Sequence, residues 1–411
     1  MSVKTLALHG GKPLRGQFLP FHRAIIGEEE IAEVTATLRS GWLTTGPRTK
    51  AFENKFCHYI GCSHAIALNS CTAGLHLALE AAGVKAGDEV ITSPVSFAST
   101  ANVIVHCGAS PVFVDVESDS LNISPDLIEK SITSRTKALI PVHFAGHPCE
   151  MDRILQIADA YGLTVIEDAA HALEAEYGER KIGTLSPFTA FSFYATKNIT
   201  TGEGGMLAVA DQELAEMVRT LSLHGISRDA WKRYSDEGYR HWEIFYAGYK
   251  YNMFDLQAAI GLHQMDRMEA WWETRRKYVA LYNASFQEIP EVELLDVKPG
   301  VKHAYHLYPV LLKLDMLNAH RDLIMNAVQA ENIGIGIHFR AIHLHPFYQK
   351  RYGFAPGILP VAEDASHREL SLPLYPSMSE DDLRDVVAVV KKVIRSFRKN
   401  KSFSLGAGFS L

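Results

Sequence analysis

Cysteine is scarce in this 411-residue chain: Cys57, Cys62, Cys71, Cys107 and Cys149 are the whole supply, and no two form a C-x-x-C pair. An odd count without such pairs speaks against a disulfide framework and against a zinc ribbon, and fits reduced thiols in a cytoplasm. Excess positive charge is missing too. With a formal net charge of -6, the chain offers no broad field for nucleic acid or for an anionic membrane. No apolar run reaches the roughly 18 residues that span a bilayer, and Gly and Pro interrupt the N-terminal M-S-V-K-T-L-A-L-H-G-G-K-P before a signal-peptide core forms. Repeats and low-complexity segments are lacking as well. What remains is a globular composition, 47% hydrophobic and 21% charged, long enough for two sizeable cores and suited to a small-molecule ligand.

Between about residues 50 and 210, short runs rich in Val, Ile and Phe alternate with helical patterns, the mark of β-α units and a mostly parallel sheet. The runs are A-I-A-L-N-S (65–70), E-V-I-T-S (89–93), P-V-F-V-D-V (111–116), A-L-I-P-V-H-F (138–144), T-V-I-E-D (164–168), T-A-F-S-F (189–193) and L-A-V-A. Thr72 to Ala82 reads as a helix. So does Glu150 to Tyr161, with Met151, Ile154, Leu155 and Ala158 on one face. From Ser222 to Gly248 the pattern dissolves into aromatic and charged residues, as in a long functional loop. Phe254, Ala258, Leu262, Met265, Met268 and Trp272 then recur at helical steps, predicting one long helix that leads toward a smaller α+β domain. The division drawn is 1–252 for an N-terminal segment and large domain, and 253–411 for the interdomain helix and small domain, with a basic, then Gly/Ser-rich tail fraying into disorder.

In an open α/β sheet, ligands bind at the carboxyl ends of strands, so the residues that close each strand are the first candidates. Ser70, Cys71, Thr72 and Ala73 sit where a strand turns into a helix, whose free amides and dipole suit a phosphate; the same residues equally suit a plain helix cap. Asp168 closes T-V-I-E-D, where a buried carboxylate needs a cationic partner such as a protonated ring nitrogen, and His171 follows in E-D-A-A-H-A. A capping Asp with an incidental His is the plainer alternative. Lys197 lies in a stretch free of other charges from Leu185 to Gly202, unlike an ordinary surface lysine. Burial or a Schiff base would remove its charge and make it reactive. Ser192 could place a hydroxyl on a phosphate beside it. Phe97, just past another strand, could stack on an aromatic cofactor, although a core role is the commoner one. The order along the chain, with a phosphate cradle, a ring platform, an acidic partner and a lysine all at strand ends, makes the set coherent.

With these residues in place, the chain resembles the DegT/DnrJ/EryC1/StrS sugar aminotransferases, fold-type I enzymes that use pyridoxal phosphate (PLP). The likeness rests on G-G-K-P-L-R, S-G-W-L-T-T-G-P, E-D-A-A-H-A, S-F-Y-A-T-K-N-I-T-T-G-E-G-G, G-Y-K-Y-N-M-F-D-L-Q-A-A-I-G and G-I-G-I-H-F-R-A-I-H, in fixed order. It implies that Lys197 carries PLP as an internal aldimine and moves protons. Asp168 would keep the pyridine nitrogen protonated, and His171 would lie near the ring. Phe97 would stack on that ring, while Ser192 and the Thr72–Ala73 backbone hold the phosphate. It implies a homodimer with shared active sites, in which G-Y-K-Y-N is the lent segment, with Lys250 and Asn252. Lys250 stands where many relatives have Asn, and Tyr194 where many have His. T-T-G-P, P-V-H-F-A-G and G-I-H-F-R-A-I-H look most like UDP-sugar 4-aminotransferases, placing Thr44, His338 and Arg340 in the sugar pocket. The expected reaction moves an amino group from glutamate or glutamine to a nucleotide-linked keto sugar, for a surface polysaccharide.

Two relatives' chemistries compete. Sugar dehydratases of this fold replace the Schiff-base lysine with His, so Lys197 argues against that reading. A non-catalytic or DNA-binding member would leave the lysine, aspartate and stacking set unexplained, and no basic DNA-reading helix is present. A nicotinamide site is disfavoured because G-E-G-G and G-I-G-I-G lack the G-x-G-x-x-G spacing. No metal site is expected, since H-L-H (343–345) has no accompanying ligands at familiar spacing.

Overall fold

The computed structural model describes residues 5–226 and 243–399. Helices α1 (Glu28–Ser40) and α2 (Pro47–Ile60) come first, followed by β1 (His64–Leu68), α3 (Cys71–Ala81), β2 (Glu89–Thr92), α4 (Ser99–His106), β3 (Ser110–Phe113) and α5 (Pro125–Ser131). The alternation continues with β4 (Thr136–Ile140), α6 (Met151–Tyr161), β5 (Thr164–Asp168), β6 (Glu176–Tyr177), β7 (Arg180–Lys181), β8 (Phe188–Ser192), β9 (Gly205–Val209) and α7 (Gln212–Leu221). Then come α8 (Asp255–Gln264), α9 (Met268–Phe286), β10 (Val292–Leu294), β11 (Val301–Lys302), β12 (Tyr308–Leu312) and α10 (Arg321–Ala330). The last elements are α11 (Pro346–Tyr352), α12 (Pro360–Arg368), β13 (Glu369–Leu372) and α13 (Glu380–Phe397).

The apolar runs of the sequence become one seven-stranded sheet in the order β1-β9-β8-β5-β4-β2-β3. Strands β8, β5, β4, β2 and β3 pair in parallel, and β9 alone runs against its neighbours. These strands read as continuous hydrophobic runs because helices cover both faces. Helix α6 shows how: Met151, Ile154, Ile157 and Ala158 are buried at helical spacing, while Leu155 is half-buried. Left-handed Gly162 ends the helix, at no steric cost to a residue without Cβ.

A second core forms around the antiparallel sheet β10-β12-β13. Helix α13 is capped by Ser379, whose hydroxyl accepts from Asp382 N, and its first turn carries Glu380, Asp381 and Asp382 where the helix dipole favours negative charge. It buries Leu383, Val386, Val389, Val390, Val393 and Ile394 against this sheet together with Val279, Tyr282 and Phe286 of α9. Leu6 and Leu19, from the beginning of the chain, join the same core.

One expectation is corrected. The long helix read from Phe254 to Trp272 is two helices, α8 and α9, separated by a 3₁₀ turn at Met265–Arg267. The break re-aims the chain. Helix α8 lies against α1 and α2 and buries the small residues Ala258, Ala259 and Gly261, with Phe254 left exposed, whereas α9 carries its apolar face to the second core. Arg267 anchors the turn to Glu30. Most of the loop expected over Ser222–Gly248, and the Gly/Ser-rich tail, lie outside the described residues. No helix among the described residues is long and apolar enough to cross a membrane.

Candidate active site

At the carboxyl ends of the large sheet's parallel strands lies a cavity of about 740 Å³. Ser70, Cys71, Thr72, Phe97, Asp168, His171, Ser192, Lys197 and His338 all line it, so most of the sequence candidates for cofactor and catalysis converge. Strand register explains part of this. Gly205 opens β9 opposite both Leu68 of β1 and Ser192 of β8, which brings Ser192 beside the start of α3. A Cβ on Gly205 would overlap the Ser70 carbonyl carbon and the Cys71 nitrogen, so only glycine lets the strand pass so close to the helix end. The first amides of a helix have no intrahelical acceptor, which leaves this turn open to an anion. Ala73 is the exception and corrects the expected cradle. Its N–H donates to Ser70 Oγ at 3.1 Å, as in a normal N-cap, and the residue does not line the cavity.

Asp168 is buried at the end of β5. Thr100 Oγ1 donates to its Oδ2 at 2.7 Å and Ala170 N to its Oδ1 at 3.1 Å, while Ser96 Oγ lies 2.7 Å from Thr100 Oγ1. Burial raises its pKa above the usual carboxylate range, partly opposed by these two donors and by Lys197. Lys197 sits in the turn between β8 and β9. That turn is pinned by Lys197 N to Tyr194 O at 2.8 Å, Thr201 N to Phe193 O at 3.0 Å and Thr200 N to Gln264 Oε1 at 2.8 Å. Burial brings its amine down to about 8, against the attraction of Cys71 and Asp168. Phe97 stands at the rim, exposed, 6.3 Å from the Phe339 ring.

Four imidazoles surround this centre. His171 is buried, its Nδ1 without a partner among the described residues, and its ring lies 4.5 Å from that of His306. Desolvation holds both well below the ordinary histidine value, and lowers His338 and His22 to about 4. All four are therefore neutral near pH 7. His306 belongs to a chain of bonds that the sequence reading missed. Its Nδ1 lies 3.0 Å from Asn198 Oδ1, Asn198 Nδ2 donates to Glu174 Oε2 at 2.6 Å, and Arg275 Nη2 donates to Glu174 Oε1 at 2.6 Å. Because Asn198 spends its amide on Glu174, its Oδ1 accepts from His306 Nδ1–H. His22, Phe21, Thr100 and Phe339 were missed as well. The available signal was weak: Ser96 and Thr100 are hydroxyl residues four apart in the sequence, and H-A-Y-H (303–306) sets two histidines in an apolar stretch.

The structure does not bring every candidate into the cavity. Arg340 donates through Nη2 to Leu344 O at 3.0 Å and does not line it. Thr44, Lys250 and Asn252 lie elsewhere. Lys250 Nζ donates to Asn252 Oδ1 and Asn252 Nδ2 to Thr45 Oγ1, both at 2.7 Å. Thr44 and Lys250 are exposed on this chain.

The mostly parallel sheet, the second α+β unit and a lysine facing an aspartate in one cavity define a fold-type I, PLP-dependent aminotransferase. The chain belongs to the DegT/DnrJ/EryC1/StrS aminotransferase family, whose model matches residues 24–391. It is 50% identical over 93% of its length to the spore coat polysaccharide biosynthesis protein SpsC of Bacillus subtilis, covering 98% of that protein. Among solved structures it is similar to Spr1654 of Streptococcus pneumoniae, described provisionally as a sugar aminotransferase and solved in PLP and PMP forms. That similarity is 33% identity and a TM-score of 0.85 over 92% of this chain and 98% of the other. DesI, solved in the presence of its TDP-sugar product, matches with 30% identity and a TM-score of 0.85 over 96% of this chain and 98% of its own. The chain is thus a PLP-dependent sugar aminotransferase.

Proposed function

We propose that this enzyme transfers the amino group of glutamate to a 4-keto sugar carried on UDP, in a cytoplasmic ping-pong cycle that serves a surface polysaccharide. The observation that carries the reading is the single cavity that gathers Lys197, Asp168, His171 and the first turn of α3. These residues fit PLP. His171 Nδ1 is a buried polar atom without a hydrogen-bond partner among the described residues, and Asp168 is a carboxylate whose burial calls for a facing cation. The first turn of α3 is a ready anion site. When bound, the cofactor supplies a carbon that accepts the amino group and a ring that withdraws electrons.

The residues divide the remaining work. Lys197 would hold the aldehyde carbon between turnovers, and, once displaced, its burial-lowered amine takes a proton from the substrate carbon and returns it. Asp168 would keep a proton on the ring nitrogen. Phe97 would cover the ring, and Ser192 with the amides of Cys71 and Thr72 would hold the phosphate. Neutral His171 and His338 can each give or accept a hydrogen bond without adding charge near the amine.

Thr44, Lys250 and Asn252 take their place in a homodimer. Trp42, Leu43, Phe245 and Tyr246 expose large apolar surface on the neighbouring segments, which suits a second copy. In that arrangement Lys250 of one chain reaches the phosphate held by the other. The likeness to DesI, solved with a TDP-sugar, supports a nucleotide-linked substrate, with Arg340 as a candidate for the diphosphate. The test is to convert the cofactor to its amine form with glutamate, then add UDP-linked 4-keto sugars beside TDP-linked and 3-keto ones. Return of the aldehyde spectrum with the UDP-4-keto sugar is expected. A response to the TDP or 3-keto compounds alone overturns the substrate assignment, and no response to glutamate overturns the donor.

A further inference from the structure

Away from this cavity, along the second half of α3, three parts of the chain bring together an uncommon set of side chains. His76 and Glu80 stand one helical turn apart on α3, so they face the same way. Cys107 closes α4 directly beside them. The donor atoms of the three, an imidazole nitrogen, a carboxylate oxygen and the sulfur, all lie within 4.8 Å of one another, and His76 Nε2 is 3.7 Å from Glu80 Oε1. His76 is 5% exposed, and its Nε2 has no hydrogen-bond partner among the described residues although the atom is buried. The Tyr249 ring lies 4.8 Å and the His106 ring 5.9 Å from that of His76, while Leu75, Leu77, Ala78 and Leu79 of the same helix are buried in the core.

We propose that His76 Nε2, a Glu80 carboxylate oxygen and the Cys107 thiolate bind one zinc ion, with water in the fourth position. Imidazole, carboxylate and thiolate together are a donor set that suits zinc better than a hard cation such as magnesium or calcium. Binding replaces a proton: the Cys107 S–H bond breaks, sulfur gives its electron pair to the metal, and the proton leaves to solvent. Both oriented ligands have outer partners of the kind metal sites use. Tyr251 Oη lies 3.2 Å from His76 Nδ1, where a ring N–H donating to it leaves Nε2 as the lone pair for the metal. Tyr249 Oη donates to Glu80 Oε1 at 3.1 Å. The two tyrosine rings stack at 5.0 Å on either side of Lys250 in the chain. The metal would therefore tie the segment bearing Lys250 to the helix whose other end lines the cofactor cavity, apart from the chemistry at Lys197.

The experiment takes the holoenzyme, strips it with a chelator, and titrates it with zinc alone beside the Cys107→Ala and Tyr251→Phe variants. Bound metal is counted by elemental mass spectrometry, and the alkylation rate of Cys107 is followed by peptide mapping. One zinc per chain is expected in the parent, with Cys107 protected once zinc is bound. Tyr251→Phe should bind about 10- to 100-fold more weakly, and Cys107→Ala should retain no zinc after gel filtration. Zinc uptake equal in the parent and Cys107→Ala, no uptake in either, or a Cys107 that alkylates equally fast with and without zinc overturns the site. Zinc failing to bind leaves the aminotransferase assignment untouched, since PLP binding is read separately from its own absorption band.

Discussion

Glu167 and Asp168 are adjacent on β5, both carboxylates, both buried, yet they live in opposite surroundings. Alternation along the strand sends them to different faces of the sheet. Glu167 is closed in: Ser186 Oγ donates to it at 2.7 Å, Thr189 Oγ1 at 2.9 Å, and His143 Nε2 lies 2.9 Å away. The His143 tautomer follows from its other side, where Nδ1 accepts from Cys149 N at 3.0 Å, so Nε2 carries the hydrogen that Glu167 receives. Asp168 has two donors and one side open to the cavity. A buried carboxylate with three donors and no side on the cavity holds the fold together. One left partly unanswered beside a cavity is available for chemistry, and the contrast separates the two roles better than burial does.

The sharpest test of the open side is the group that shares its cavity. Lys197→Ala should lower the overall transamination rate by at least about 10⁴-fold, measured as keto-sugar amination, with the far-ultraviolet circular dichroism unchanged. Asp168→Asn, which keeps shape and removes charge, should cost on the order of 10²- to 10³-fold in kcat with little change in melting temperature. If Asp168→Asn instead unfolds the protein and keeps its rate, the two carboxylates have been read the wrong way round. The mirror experiment is Glu167→Gln. It should destabilise by about 2 kcal/mol in urea titration, since a donor replaces an acceptor among three donors, and leave kcat within about twofold of the parent.

Smaller effects refine the same comparison. Burial depresses the Lys197 amine to about 8, and only its neutral form attacks an aldehyde. Uptake of PLP by the cofactor-free chain should therefore rise with pH toward about 8 and fall about tenfold for each unit below it. Stopped-flow absorbance gives the profile, and a rate independent of pH between about 6 and 8 contradicts the assignment. Thr100→Val removes one of the two donors to Asp168 and favours its protonated form. A loss of about fivefold in cofactor affinity, equivalent to about 1 kcal/mol, is expected, read by equilibrium dialysis.

Much of this site was legible before any coordinates. Asp168 and Lys197 announced themselves because a charge closing an apolar strand, or standing alone in an uncharged stretch, is costly unless it has work to do. The strands were readable for the same reason, as apolar runs of the right length. Arg275 was not. It lies in W-W-E-T-R-R-K-Y, a run that looks like the wet face of a helix, yet it is buried against Glu174 across 101 positions of sequence. Phe254 misled in the other direction. Its helical spacing suggested a core face, which Leu262 does join in part, but α8 also fits on α1 and α2 through Ala258, Ala259 and Gly261, the last against the Phe52 ring. Periodicity reports that a helix has a packed side. It does not say whether large residues or close backbones do the packing, nor which partners a distant loop will bring.

Gly205 under the first turn of α3 has one more consequence. On that wall of the cavity the main chain of Ser70 and Cys71 comes up against Gly205, whereas Phe21, His22, His338 and Phe339 line the cavity elsewhere with large side chains. Single codon changes redraw a wall of side chains readily, but they barely touch one made of amides. A lineage starting from this chain could therefore change its sugar by point mutation on the side-chain wall while the amides at the start of α3 stay in place.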